Sequence, residues 1–246
     1  MKQYPFYILR WLSISSVFML GLYGCQPGSQ NKTQKDEIKI EAKTVPVQEA
    51  APIVCDKEGC VRFDLSTVDT HIPWIDQYFI ERIKRTEPVA FSPMVSAQAQ
   101  SRLIDQRRIR VSYVGQQGPI ATFVLESSHL AKASGRRIQH QEYINLDLEH
   151  KKRLALYEIM LATREAELMN VVDQQYPNKL KKGKVKQSQL KLSDNYYLDR
   201  QGLVLVYPQN ELSLGAQGVR ELKVPYSQLN GILQPRYLPV VPKERP

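Results

Sequence analysis

The sequence predicts an α+β fold, a mostly antiparallel sheet with helices packed on one face. Two strand-rich regions flank a helical middle. Within the strand regions apolar and polar residues alternate at period two, as half-buried strands require. Compact turn sequences such as Gly115–Pro119 and Asp199–Gly202 separate these runs, and short connections pair neighbouring strands antiparallel.

From the N-terminus, Lys2 and Arg10 precede any acidic residue, an apolar run extends from Trp11 to Leu22, and Leu22-Tyr23-Gly24-Cys25 ends it. These are the parts of a secretory signal. The run is shorter than the roughly 20 apolar residues of a spanning helix. Its Leu-x-Gly-Cys ending resembles a lipobox, where lipoprotein signal peptidase cuts before a cysteine that becomes acylated. Residues 1–24 are therefore expected to be a lipoprotein signal peptide, and Cys25 the lipidation site. Acyl chains contribute about 0.8 kcal/mol per buried methylene, so two or more hold a protein stably at a membrane. Gln26, rather than aspartate, follows the cysteine. That favours the periplasmic face of the outer membrane, or the outer face of the membrane in a source with only one.

Loss of Lys2 and Arg10 lowers the formal net charge from +9 to +7. Residues 25–52 form the lipidated cysteine and a Gln-, Lys-, Glu- and Pro-rich stretch, expected to be a flexible tether. With Cys25 acylated, Cys55 and Cys60 remain, an even number in an oxidising compartment. Asp56-Lys57-Glu58-Gly59 between them suits a turn, so a Cys55–Cys60 disulfide is expected, contributing about 2 kcal/mol. The rival reading, a zinc-binding thiolate pair, lacks two further ligands at suitable spacing.

The folded domain is expected over residues 53–238, with a loosely packed tail at 239–246. Val61–Leu65 reads as a strand. Pro73 opens a helix with Ile75, Tyr78, Phe79 and Ile83 on one side. Strands follow at Ile109–Tyr113, Ile120–Leu125 and Tyr143–Leu148. Lys152–Tyr176 reads as helix, either one or, with a break near Thr163, two. Six lysines and no acid lie between Lys179 and Lys191. Tyr196–Leu198, Leu203–Tyr207 and Val219–Val224 read as strands, and Pro225 as the start of a last helix, Tyr226–Leu233.

The C-terminal third carries Tyr196-Tyr197-Leu198-Asp199, Gly202-Leu203-Val204-Leu205-Val206-Tyr207-Pro208, Gly215-Ala216-x-Gly218-Val219 and Val224-Pro225-Tyr226-Ser227-x-Leu229. This pattern resembles a domain of unknown function. That domain forms the extracellular part of RsiV-type anti-sigma factors and accompanies the catalytic domain of PdaC-type peptidoglycan deacetylases. A weaker likeness covers residues 105–161, where Ala133-Ser134-Gly135-Arg136-Arg137 replaces the family's glycine-histidine loop. The resemblance implies an α+β fold with one antiparallel sheet and helices on one face, and binding roles.

No nucleophile elbow, H-E-x-x-H, Walker loop or G-x-G-x-x-G is present in the sequence. His140 with Glu142, and Asp147 with Glu149, share strand faces by alternation, which is common on any exposed strand. The second pair would be catalytic only at a glycosidase separation. Neither a metal nor a cofactor is expected. The domain is read as a non-catalytic ligand- or protein-binding (sensing) domain of the envelope. The alternatives are a hydrolase of cell-wall glycan or peptide, and a structural lipoprotein of an envelope complex. Gln209, Asn210 and Glu211, in the loop Pro208–Gly218, are the candidate binding residues. Arg107-Arg108-x-Arg110, Lys151-Lys152-Arg153 and the lysine run are either solvated faces or contacts to an anionic envelope polymer or lipid, the run through Lys179, Lys181, Lys182, Lys184 and Lys186. An exported protein meets little nucleic acid, so none is expected as partner.

Overall fold

The computed structural model describes residues 38–56, 59–92, 104–176, 191–208 and 220–239, the side chain of Arg220 excepted. All lie in the contact unit Glu37–Pro246. Among the described residues, ten strands form two sheets. β1 (Lys43–Pro46), β3 (Cys60–Asp69), β4 (Ile104–Gln117), β5 (Ile120–Ala131), β6 (Arg136–Asp147) and β7 (Lys152–Arg153) follow one another across the larger sheet, and β2 (Ile53–Cys55) also pairs with β3. β8 (Tyr196–Leu198), β9 (Gly202–Tyr207) and β10 (Arg220–Pro225) form the smaller one, in the order β10-β9-β8. Every strand pair is antiparallel except β3 and β4. Helix α1 (Pro73–Thr86) lies between those two in the chain, where a parallel pair needs a crossover.

Alternation decides the faces of the larger sheet. Phe63 and Leu65, Ile109 and Val111, Phe123 and Leu125, and Ile144 and Leu146 fall on one side and are buried. α1 covers that side. Proline in its first turn has no N–H to leave unsatisfied, and Ile75, Phe79 and Ile83 recur at helical spacing, all fully buried. Burying such a side chain contributes about 1.5–3 kcal/mol each, and Phe79 meets Phe123 with ring centroids 4.9 Å apart. The Asp76 carboxylate accepts hydrogen bonds from the N–H and hydroxyl of Thr70, at 2.9 and 2.7 Å, which fixes the helix to the end of β3.

A second core forms around the smaller sheet. Leu203, Leu205 and Tyr207 of β9 pack with Leu222 and Val224 of β10, with Leu168 and Val172 of α3 (Glu165–Gln175), and with Leu229, Leu233 and Tyr237. Ile120 and Leu154 belong to this core too, so it starts where the other face of the larger sheet turns apolar. Among the described residues no helix is long and apolar enough to cross a membrane.

Several expectations are corrected. The tether does not extend to residue 52. Lys43–Pro46 pairs with Ser66–Asp69 as β1, and Ile40 and Val47 are buried, because the edge of β3 supplies partners for a stretch with little apolar content of its own. There are two sheets rather than one, with α1 on the larger and α3 beside the smaller, because the chain after β7 turns away to build its own core. The helical middle is shorter than its periodicity suggests. β7 precedes a single turn, α2 (Leu156–Ile159), Met160 after it is extended, and Thr163, at a positive φ of 65°, stands between that turn and α3. The last helix is a 3-10 turn, Tyr226–Gln228, and Asn230 and Leu233 then form β-bridges. Gly231, at φ 77°, allows that reversal.

Candidate functional site

The side of the larger sheet away from α1 is polar over its outer half. Side chains directly opposite on adjacent strands share a face, and the register lines them up in rows. Ser66, Arg110, Glu126 and Gln141 form one row, and Asp64, Arg108, Ser128 and Gln139 the next. Arg62, Gln106, Leu130 and Arg137 form the outermost. The first two rows line a cleft of about 510 Å³, which His140 also borders. A smaller hollow of about 240 Å³ continues it over Arg62, Gln106, Leu130 and Arg137. The Arg108 Nε donates to an Asp64 carboxylate oxygen at 2.7 Å. Among the described residues no ion pair or hydrogen bond engages the guanidinium groups of Arg62, Arg110 or Arg137.

Further along the same face the two sheets meet. There the face carries Thr122 and Asn145, both buried. The Thr122 hydroxyl donates to Asn145 Oδ1 at 2.8 Å, and Asn145 Nδ2 donates to the carbonyl of Tyr196 at 2.7 Å. Tyr143 stacks on Tyr197, centroids 4.3 Å apart. The smaller sheet therefore meets this face beyond the cleft, at the inner ends of β5 and β6.

Asp147 and Glu149 do not share a strand face. β6 ends at Asp147, and Glu149 stands in the following turn, which Lys151 completes at φ 52°. Asp147 is 1% exposed, and its Oδ1 accepts the backbone N–H groups of Glu149 and His150, at 2.9 and 3.0 Å. Its Oδ2 faces His150 Nδ1 at 2.8 Å and accepts from Arg236 at 2.9 Å. Burial pushes this carboxyl up, but the hydrogen bonds from His150 and Glu149 outweigh it and hold it below the ordinary carboxylate value. Ligand atoms of Asp147, Glu149 and His150 lie within 4.8 Å of one another, the spacing of a metal site. The Arg236 guanidinium already occupies Oδ2 and would repel a cation there. The group is a latch between the end of β6 and the C-terminal segment.

The remaining residues singled out from the sequence separate. Glu142 pairs with Arg82 of α1 at 2.6 Å and Arg153 of β7 at 3.4 Å, while His140 is exposed, so those two do not act as a pair. Of the basic clusters, Arg107 pairs with Glu87, Lys152 with Glu158, and Arg108 with Asp64. Cys55 and Cys60 are joined by a disulfide across the β2–β3 turn. There the Asp56 N–H donates to the Gly59 carbonyl at 2.8 Å. Cys25, the loop residues Gln209, Asn210 and Glu211, and Lys179, Lys181, Lys182, Lys184 and Lys186 lie outside the described residues. Sequence reading missed Arg62, Gln139, Gln141 and Asn195. Alternation places the first three on polar faces, but only the register brings those faces together.

The family described as "Protein of unknown function (DUF3298)" matches residues 139–227, from β6 through β10. No curated protein matches the chain. A DUF3298 family protein of Pseudomonas aeruginosa PAO1, solved by crystallography, is similar in structure with a TM-score of 0.58 and 16% identity. The match covers 83% of this chain and 99% of that one. A solved member of the same family from Bacteroides fragilis NCTC 9343 has a TM-score of 0.58 and 15% identity, over 79% of this chain and 94% of that one. The chain therefore carries a DUF3298 domain over residues 139–227, within a fold shared along most of its length with solved DUF3298 proteins.

Proposed function

We propose that this protein is an exported, lipid-anchored envelope protein whose domain binds a ligand or protein through the open face of its larger sheet, without hydrolysing it. The observation that carries the reading is the cleft: a concave, polar sheet face that no helix covers among the described residues, lined by side chains able to donate and accept hydrogen bonds. The lipobox-like segment ending at Cys25 supports export and anchoring. The Tyr196–Leu229 pattern supports kinship with the extracellular domain of RsiV-type anti-sigma factors and the accessory domain of PdaC-type deacetylases, and with it a binding role. The loop residues Gln209, Asn210 and Glu211 belong to the proposed surface, and the lysines of 179–186 to a contact with anionic envelope polymer or lipid.

The test is capture of partners from envelope extract with the tagged full-length protein and with a Gln139→Ala/Gln141→Ala variant, alongside incubation with peptidoglycan. The expected result is a partner retained by the wild type and weakened by the variant, with unchanged thermal stability and no release of sugar, acetate or peptide. Equal capture by both proteins, or product release by the wild type, overturns the reading.

A further inference from the structure

The three rows of the open face differ in charge. In the row through Arg110, Glu126 stands directly opposite the guanidinium-bearing residue; in the row through Arg108, Asp64 is its ion-pair partner. Both rows are formally neutral. The outermost row holds Arg62 and Arg137 and no acid. Both side chains are exposed, both line the same hollow, and Gln106 and Leu130 form the floor between them. Arg107 and the Arg108–Asp64 pair also line this hollow, which leaves it with an excess of positive charge, and an anion there can accept charge-assisted hydrogen bonds from Arg62 and Arg137. Arginine forks suit the planar or tetrahedral oxygens of carboxylate and phosphate. The neutral rows beside them offer hydroxyl and amide groups through Ser66, Ser128, Gln139 and Gln141, and among the described residues no Phe, Tyr or Trp lines either hollow. Such a surface suits a ligand rich in hydroxyl or amide groups with an acidic group at one end, rather than an apolar one.

We propose that the cleft binds an acidic saccharide, its carboxylate or phosphate held between Arg62 and Arg137 and its uncharged portion lying along Ser128, Gln139 and Gln141. This rests on the reading of the open sheet face as the recognition surface.

The test is calorimetric titration of the full-length protein with four probes: oligogalacturonate for carboxylate, a glycerol-phosphate oligomer for phosphate, uncharged chitotriose, and oligoglutamate as an acidic non-sugar. Binding of one of the first two, with neither control binding, is expected, and which of them binds identifies the anion. Arg62→Gln/Arg137→Gln should weaken that binding by about tenfold or more. Arg136→Gln, which removes an equal charge one residue away on the opposite side of β6, should leave it unchanged. Equal loss in Arg136→Gln, wild-type binding by the double variant, equal binding of oligoglutamate, or no binding of either acidic sugar overturns the proposal. Should chitotriose alone bind, and bind less to Gln139→Ala/Gln141→Ala, the anion assignment falls while the recognition face stands. Should that variant also capture envelope partners like wild type, the recognition face itself falls.

Discussion

Asn195 stands beside Tyr143 in the place of a strand residue. Its Oδ1 accepts the Tyr143 N–H at 2.7 Å, and its Nδ2 donates to the Gln141 carbonyl at 2.8 Å, so one side-chain amide satisfies the edge of β6 as a peptide would. Its own carbonyl accepts the N–H of Val206 at 2.8 Å. One residue thus ties the larger sheet to the smaller without a strand pair between them.

Asn195→Ala removes both partners of that edge at once. Leaving half-buried peptide groups unsatisfied costs about 1–3 kcal/mol. Chemical denaturation should show a loss in that range, and Asn195→Asp, which keeps an acceptor for Tyr143 but has no donor for Gln141, should rescue it only in part. Wild-type stability of Asn195→Ala would show that water satisfies the edge equally well.

Gly202 is required where β9 starts. A Cβ there would lie 2.0 Å from the Val224 carbonyl oxygen and 2.8 Å from the Pro225 Cα, both backbone atoms that cannot swing aside. Gly202→Ala should destabilise by about 3 kcal/mol or more, since overpacking of 1–3 kcal/mol is typical even where side chains can yield. Gly115→Ala, with open space around its Cβ position, is the control and should cost little. Thermal melts compare the two.

Asp147 makes stability depend on pH. Its carboxyl titrates lower in the folded chain than the ordinary 3.8. The unfolded chain therefore binds the proton first as pH falls. The contribution of Asp147 is complete above the unfolded value and is lost as pH drops through the folded one. Asp147→Asn should be less stable than wild type near neutrality, and the gap should narrow in acid. Arg236→Ala should cost about 1–3 kcal/mol near neutrality, because it removes a partner of a buried carboxylate. Denaturation curves at several pH values read both.

Cys25→Ser should abolish processing by lipoprotein signal peptidase and incorporation of labelled fatty acid, and should move the protein out of the membrane fraction. Unchanged labelling in that variant would refute the lipidation proposal.

The sequence by itself determined the local features. Ile75, Phe79 and Ile83 at helical spacing specify α1, because a helix repeats every 3.6 residues whatever it packs against. Asp199 and Gly202 specify the β8–β9 turn, where the Asp199 carboxylate accepts two backbone N–H groups and its own N–H donates to the Gly202 carbonyl. Cys55 and Cys60 sit close enough in the chain for their pairing to be read from spacing and compartment. The tertiary structure decided what depends on register between distant strands. Alternation shows that Arg62 and Arg137 occupy polar faces, but not that β3, β4, β5 and β6 place them in one row. Nor does it show that Asn195 would complete the edge of β6, or that Lys43–Pro46, weakly apolar alone, would gain β3 as a partner. Pairing energy is shared between two segments, so neither sequence carries it alone.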